Sequence, residues 1–153
     1  MSGPTPTPQY LYKIVPSNTP PPTPLPLALP LSPLDKKDGF IHLSTSSQLL
    51  TTLSRFFSSD ESVLLLRIPY SIIGEFIVWE TVSGEAASGE WDWKSEEGKK
   101  FYPHVYSNGP EEHACGRGIK LGSEEIENVG SWKRGAEGWS KEGWPFAEDS
   151  PIA

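Results

Sequence analysis

The chain has very little of several features that would place it in a class at once. Its 153 residues include one cysteine, Cys115, which excludes an intramolecular disulfide and favours a reducing, cytoplasmic environment. No apolar run approaches the about 20 residues that a membrane-spanning helix needs. The N-terminus also lacks the basic and then apolar segments of a secretory signal. We therefore expect one globular domain without a membrane partner.

Basic residues are scarce in the second part of the chain. Residues 1–57 carry four basic and two acidic side chains, whereas residues 58–153 carry nine basic and eighteen acidic ones. The formal net charge is −7. Nucleic-acid backbones are bound by clustered Lys and Arg side chains. This charge distribution therefore argues against a broad nucleic-acid surface.

Proline is abundant, but it is concentrated near the N-terminus. Eleven of the sixteen prolines lie between Pro4 and Pro33. We expect residues 1–9 to be a disordered tail and residues 16–33 to form a polyproline-like surface loop. Proline has no backbone N–H group, so it cannot donate the hydrogen bonds of a regular β-ladder. This loop is a candidate contact for a protein partner. The rest predicts a single domain over residues 10–129, followed by a Gly- and Trp-rich C-terminal extension over 130–153.

The pattern of apolar residues predicts several strands and one clear helix. Strands are expected over 10–15, 39–44, 62–68, 75–81 and 101–106, with the last at an edge or a bulge because it contains Pro103. Residues 83–100 are polar and Gly-rich, which predicts an exposed excursion.

The helix is predicted over residues 46–57. Thr45 and Gln48 have the spacing of a capping box at its start. Its apolar residues share one face at helical spacing: Leu49, Leu50, Leu53, Phe56 and Phe57. Several strands with one helix indicate an α+β fold.

Three polar residues stand in or beside apolar strands: His42, Glu80 and His104. Burying such groups without partners is costly, so each is either satisfied within the core or used in a site. Ser44 lies two residues after His42, on the same face of an extended strand. The helix start that follows offers backbone N–H groups suited to an anion such as phosphate. These positions are therefore candidates for holding a ribose or a phosphate.

Two other groups carry weaker signals. Arg67 is a candidate partner for Glu80 or for a phosphate, or it forms an ordinary ion pair. His113 and Cys115 form an H-x-C pair, but a zinc site needs three or four ligands at recognisable spacing. We therefore expect no metal.

Several blocks together resemble the family known as domain of unknown function 952. They are "YKIV", "DGFIHLSTSSQ", "VLLLRI", "VWE" and "YPHVY", and they cover roughly residues 10–106. The resemblance implies an ADP-ribosyltransferase-like fold, in which split antiparallel or mixed sheets with few helices hold NAD in a cleft. It further implies that His42 and Ser44 contact the ribose and that Glu80 orients the acceptor. Tyr106 or Trp79 is then the candidate to stack on nicotinamide.

Three functions remain open from the sequence. The first is an NAD- or ADP-ribose-binding protein that acts as an ADP-ribosyl or related transferase. Its catalytic residues are then Glu80 and His104, and His42, Ser44 and Tyr106 bind the cofactor. The second is a two-histidine phosphoesterase, for which "HLS" fits the H-x-[ST] block and "HVY" does not. The third is a non-catalytic interaction module that uses the Pro-rich loop or the Trp-rich C-terminal segment.

Overall fold

The computed structural model describes residues 3–106 and 121–146. Short strands dominate this part of the chain, and its α-helices are eight residues or shorter. In chain order these elements are β1 (Gly3–Thr5), β2 (Tyr10–Pro16), α1 (Pro33–Asp38), β3 (Ile41–His42), α2 (Leu49–Phe56), β4 (Ser62–Pro69), α3 (Tyr70–Ile73), β5 (Ile77–Glu80), β6 (Glu90–Asp92), β7 (Tyr102–Val105) and β8 (Asn128–Lys133). None of the helices in the described residues has the length and apolar character to cross a membrane.

The strands form two three-stranded antiparallel sheets and one small parallel pair. Their orders are β2-β4-β8, β3-β7-β5 and β1-β6. The two larger sheets meet where the amide and carbonyl of Tyr12 pair with those of Ser44, both at 2.9 Å. The α+β class, with few helices and antiparallel sheets, is thereby confirmed.

One hydrophobic core lies against both larger sheets and decides which side of β3-β7-β5 stays polar. Ile41, Trp79 and Val105 are buried in it, together with Leu11 and Ile68 from the other sheet. Successive side chains of a strand point to opposite faces. The alternate residues of β3, β5 and β7 therefore point away from this core.

A second core explains why the C-terminal segment is part of the domain. Trp132 of β8 is fully buried, and it packs with Tyr12, Leu53 and Trp139. The extension expected from residue 130 thus begins inside β8, which pairs with β4. Indole rings can fill a core without following a helical or strand period, so the pattern of the sequence does not reveal them.

The N-terminal residues and the 83–100 segment hold each other in place. Gly3–Thr5 pairs in parallel with Glu90–Asp92, and the indole N–H of Trp93 donates to the carbonyl of Pro6 at 2.5 Å. Residues 3–6 of the expected tail over 1–9 thus contact the 83–100 segment, which contains a strand. Three-residue strands are too short to show alternation in the sequence.

The predicted helix and its capping residues are confirmed. A 3₁₀ turn over Ser46–Gln48 leads into α2. The amide of Thr45 donates to Gln48 Oε1 at 2.9 Å, while Gln48 Nε2 donates to the carbonyls of Lys99 and Phe101. The same side chain therefore caps the helix start and anchors the segment that enters β7.

Pro103 lies in the central strand of its sheet, which corrects the expectation of an edge or bulge. The carbonyl of Pro103 accepts a hydrogen bond from the amide of Leu43 at 3.1 Å. The nitrogen and the carbonyl of one strand residue point to the same neighbour, so the nitrogen of Pro103 also faces Leu43. Strand β3 ends at His42, one residue before Leu43. The missing proline N–H therefore falls beyond the end of β3 and costs no bond within that strand.

The Pro-rich loop is packed onto the domain. Its partly buried Leu25, Leu29 and Leu31 contact the first core. The amide of Leu29 donates to the carbonyl of Leu121 at 2.7 Å. A Cβ at Gly122 would collide with the backbone carbonyl of Leu27, so the loop approaches the chain too closely for a larger residue. A protein partner for this loop stays a prediction.

We expect Gly122→Ala to destabilise the protein by about 1–3 kcal/mol, because the added methyl group forces the packed loop backbone to move. The measurement is the free energy of unfolding from denaturant titration. Gly3→Ala is the matched control, since nothing lies within 4 Å of a Cβ there. Equal stability of the two variants would show that the loop is not held as described.

Candidate functional site

The candidate residues gather on the face of the β3-β7-β5 sheet that points away from the core. His42 and His104 are direct partners in the β3-β7 register, and their rings are 5.4 Å apart. Glu80 belongs to β5, which pairs with the other side of β7. Tyr106 follows His104 by two residues and so shares its face. Antiparallel pairing thus brings together residues that are up to 64 positions apart in the chain.

Glu80 and His104 form a buried carboxylate–imidazole pair. The distance from His104 Nδ1 to Glu80 Oε2 is 2.7 Å, and the hydroxyl of Tyr106 donates to the same oxygen at 2.5 Å. Glu80 is 8% exposed and His104 is 6% exposed. Within the described residues, neither Glu80 Oε1 nor His104 Nε2 has a hydrogen-bond partner. Each residue therefore keeps one polar atom for a ligand.

Phe40 orients the rings of this pair. It stacks on His104 with a centroid distance of 4.0 Å and an interplanar angle of 21°. Its centroid is 4.6 Å from that of His42 and 5.1 Å from that of Tyr106. Stacking on Phe40 fixes the plane of the His104 imidazole, and the hydrogen bond to Glu80 fixes its Nδ1 atom.

Burial and the contact with Glu80 set the protonation of His104 and Tyr106. Burial lowers the pKa of His104 below its usual 6.5, and the bond to Glu80 offsets only part of that effect. Burial and then the bond to Glu80 raise the pKa of Tyr106. At neutral pH His104 is thus a neutral imidazole that donates from Nδ1 and can accept a proton at Nε2, while Tyr106 remains a donor.

A second set of ionisable side chains lies next to the Glu80–His104 pair. Asp35 Oδ2 is 2.8 Å from Lys13 Nζ, and Asp35 Oδ1 is 2.7 Å from His42 Nδ1. The other ring nitrogen of His42, Nε2, is 2.9 Å from Asp38 Oδ2. Burial raises the pKa of Asp35, but the hydrogen bond from His42 and the charge of Lys13 outweigh it, so the pKa lies below 3.8. This network, Lys13–Asp35–His42–Asp38, joins β2, α1 and β3.

A pocket of about 290 Å³ opens beside the Glu80–His104 pair. One wall is the turn that follows β5. Its lining residues are Asp38, Phe40, Glu80, Thr81, Val82, Ser83, Gly84, His104 and Tyr106. No Lys or Arg is among these described lining residues, and two are carboxylates. The pocket is therefore polar and acidic, and His104 supplies its one imidazole.

The structure separates the sequence candidates into two sets. Glu80, His104 and Tyr106 line the pocket, and His42 lies directly behind it. Ser44 is buried, pairs through its backbone with Tyr12, and is not among the lining residues. Its ligand-binding role stays a prediction without a supporting contact.

Other candidates also lie away from the pocket. Arg67 pairs with Glu127 at 2.9 Å rather than with Glu80, so it forms the ordinary ion pair that was one of its suggested roles. Trp79 faces the core, where its indole N–H donates to Tyr70. His113 and Cys115 lie outside the described residues. No cluster of three or more potential metal ligands occurs among residues 3–106 and 121–146.

Sequence reasoning missed four residues that build the site: Lys13, Asp35, Asp38 and Phe40. Two of them belong to α1, which was not predicted. A signal was available, because Ser32 caps the helix by accepting from the Asp35 amide at 3.1 Å and Pro33 occupies the first turn. Gly39 ends the helix at φ 85° and turns the chain into β3.

Comparison with known proteins gives the family. The sequence profile described as Protein of unknown function (DUF952) matches residues 27–115, which is more than half of the chain. The chain belongs to this family. The segment matched by the DUF952 profile includes Asp38, His42, Glu80, His104 and Tyr106, whereas Lys13 lies before it. No curated protein matches the chain.

Solved structures support the fold. This DUF952 protein is similar to Protein CC0527 from Caulobacter crescentus, with a TM-score of 0.54 and 21% sequence identity. The similarity covers 85% of this chain and 91% of that one, and a double mutant of CC0527 gives the same values. At this identity the likeness concerns the fold alone, so the chemistry has to be argued from the pocket.

The pKa of His104 can be checked directly. We expect NMR titration of its ring protons to give a midpoint below 6.5, because burial disfavours the imidazolium. In Glu80→Gln the midpoint should fall further, since the carboxylate that favours the charged ring is gone. A midpoint above the usual value, or a rise in the variant, would contradict the described environment.

The buried charge network predicts a second outcome. Lys13→Met should lower the free energy of unfolding by about 1–3 kcal/mol, because Asp35 loses a charged partner while remaining buried. Lys37→Met is the control, since Lys37 is exposed on the same helix as Asp35. If both variants change stability by less than about 0.5 kcal/mol in denaturant unfolding, the network does not hold the fold.

Proposed function

We propose that the pocket binds the ribosyl end of NAD or of an ADP-ribose-like ligand, and that the protein transfers the ADP-ribosyl group of NAD to an acceptor. One observation carries the proposal: Glu80 Oε1 and His104 Nε2 both lack partners within the described residues and belong to residues that line one pocket. The resemblance to ADP-ribosyltransferase-like proteins, which hold NAD in a cleft between small sheets, supports the same ligand.

The acidic character of the pocket suits a ribose and its developing charge. Glu80 Oε1 accepts a ribose hydroxyl, and its negative charge stabilises the positive charge that develops at the anomeric carbon. Tyr106, Thr81 and Ser83 supply further hydroxyl groups along the lining. The hydroxyl groups of a ribose can donate hydrogen bonds to the carboxylate and hydroxyl oxygens of this lining.

The reaction follows from the neutral state of His104. The bond between the anomeric carbon and the nicotinamide nitrogen breaks, and its electron pair leaves with nicotinamide, which becomes neutral. The oxygen of the acceptor, an alcohol or water, forms the new bond to the anomeric carbon. His104 Nε2 takes the acceptor's proton, while Glu80 holds the ring through Nδ1.

The volume of the pocket limits how much of the ligand it encloses. About 290 Å³ lies just below the roughly 300–1,000 Å³ that ligand pockets span. A nucleoside-sized half fits this space better than a whole dinucleotide. We therefore place the nicotinamide riboside half inside and the remaining phosphates and adenosine outside.

The geometry changes the expected role of His42. Both of its ring nitrogens face carboxylates, Asp35 at 2.7 Å and Asp38 at 2.9 Å. An imidazole with both nitrogens engaged is poorly placed to contact a ribose. In this proposal His42 supports the pocket wall, and Glu80 and His104 act on the ligand.

A two-histidine phosphoesterase is the second candidate, since His42 and His104 are cross-strand partners with rings 5.4 Å apart. Two observations make it weaker. Both nitrogens of His42 are already bonded, and no Lys or Arg is found among the described lining residues to hold a phosphate. An interaction module is favoured only by exposed apolar residues such as Leu27.

Ligand binding is the first test. We expect a saturating concentration of NAD, about a hundred times its dissociation constant, to stabilise the protein by about 2.7 kcal/mol, which raises the melting temperature by several degrees. Glu80→Gln should lose most of this shift, and Glu75→Gln, at an exposed position on the neighbouring turn, should keep it. Unmoved melting temperatures with both NAD and ADP-ribose would remove the support for this function.

Turnover is the second test. Release of nicotinamide from NAD should fall by about 10²- to 10⁴-fold in His104→Asn, because the variant cannot take up the acceptor's proton. Cleavage of a cyclic nucleotide phosphate that requires both His42 and His104 would instead favour the phosphoesterase.

A further inference from the structure

Asp38 is the second carboxylate of the pocket, and the proposed chemistry does not use it. It stands at the end of α1, it is exposed, and it lines the pocket with Glu80 and His104. An exposed aspartate at a helix end is ordinarily free to rotate. Here its Oδ2 atom is 2.9 Å from His42 Nε2, which restricts that rotation.

The orientation of Asp38 is set from the buried side. His42 is held at Nδ1 by Asp35, which is 1% exposed, and its backbone amide also donates to Asp35 Oδ1 at 3.2 Å. Asp35 is held in turn by Lys13 at 2.8 Å. The network therefore runs from the buried interior to the pocket wall, and Asp38 is its last member.

The basic side chains of this network do not line the pocket. Neither Lys13 nor His42 is among the lining residues, whereas Asp38 and Glu80 both are. Glu80 is 92% buried from solvent, and its Oε1 has no partner among the described residues. A ligand in the pocket thus meets two carboxylates directly, whereas the Lys13 ammonium is bound to Asp35 and is not among the lining residues.

We infer that Asp38 is a specificity-determining residue that makes the pocket select a positively charged ring over its neutral counterpart, with His42 as the residue that positions it. For NAD, this inference rests on the proposed function. The oxidised nicotinamide ring carries the positive charge, and the reduced ring does not. The carboxylates therefore favour NAD⁺ over NADH, although the two share the same ribose, phosphates and adenosine.

The preference also has a chemical consequence. Only the oxidised ring is a good leaving group, because it departs as neutral nicotinamide when the glycosidic bond breaks. A pocket that rejects the reduced ring therefore avoids occupation by a ligand that it cannot cleave. Asp38 contributes selectivity in this scheme, and Glu80 and His104 contribute the reaction.

The first measurement is the ratio of the NADH and NAD⁺ dissociation constants, obtained by calorimetry. We expect wild type to bind NAD⁺ at least about tenfold more tightly, the effect of one partly screened charge interaction. Asp38→Asn should lower the ratio severalfold, and the part of the preference that remains belongs to Glu80. Glu85→Gln removes the same charge from an exposed neighbour outside the lining residues and should leave the ratio unchanged.

His42 is tested by the same ratio, because a loss of stability alone would not separate its role from a structural one. His42→Asn should lower the selectivity toward that of Asp38→Asn while NADH binding is retained. Equal affinities for NAD⁺ and NADH in wild type, or a ratio that Asp38→Asn does not change, would overturn the inference and leave the proposed function standing.

A smaller pair of probes separates the two ideas if neither dinucleotide binds. Ligand-observed NMR with 1-methylnicotinamide, a cation, and nicotinamide, its neutral counterpart, reports on charge selection alone. Preferential binding of the cation that is lost in Asp38→Asn would support the inference while the proposed function fails. Absence of any preference, or of any binding, would overturn the inference as well.

Discussion

The structure around the pocket depends on one buried carboxylate, Asp35. It lies on α1, and it contacts Lys13 of β2 and both the ring and the amide of His42 in β3. Removing a carboxylate from water is expensive unless charged partners and hydrogen bonds replace the lost solvation. Asp35 has both, which is why its pKa is lowered even though burial acts in the opposite direction. These contacts hold α1, β2 and the short strand β3 together around Asp35.

The alternation of β3, β5 and β7 then sorts the side chains. Ile41, Trp79 and Val105 satisfy the core, so their neighbours His42, Glu80 and His104 must point to the other face. That face is only partly open to solvent, and the polar groups satisfy each other. Glu80 serves His104 and Tyr106 with one oxygen and leaves the other oxygen for the pocket. The same alternation therefore buries the apolar side chains in the core and places Glu80 and His104 in the wall of the pocket.

Much of the local structure could be predicted from particular residues. The spacing of Leu49 and Leu53 and the Thr45–Gln48 pair predicted α2, alternation predicted β2, and a continuous apolar run predicted β4. Prediction failed where an element was short or was held by distant residues. The strand Gly3–Thr5 exists because Glu90–Asp92 lies beside it, and Trp132 is buried because Tyr12 and Trp139 surround it. Pro103 was assigned to an edge because the end of β3, which makes it tolerable, is not visible in the local sequence.

The sequence by itself determined which residues are chemically unusual. His42, Glu80 and His104 stand out because a polar group in an apolar strand must be satisfied or used, and this follows from solvation energies without knowledge of the fold. Only the tertiary structure decided their roles. Antiparallel register placed His104 between β3 and β5, so it met Glu80 on one side and His42 on the other. It also placed Asp35 and Asp38 around His42, because α1 folds back onto β3. Such partners are separated along the chain and share no pattern, and only packing brings them within hydrogen-bonding distance.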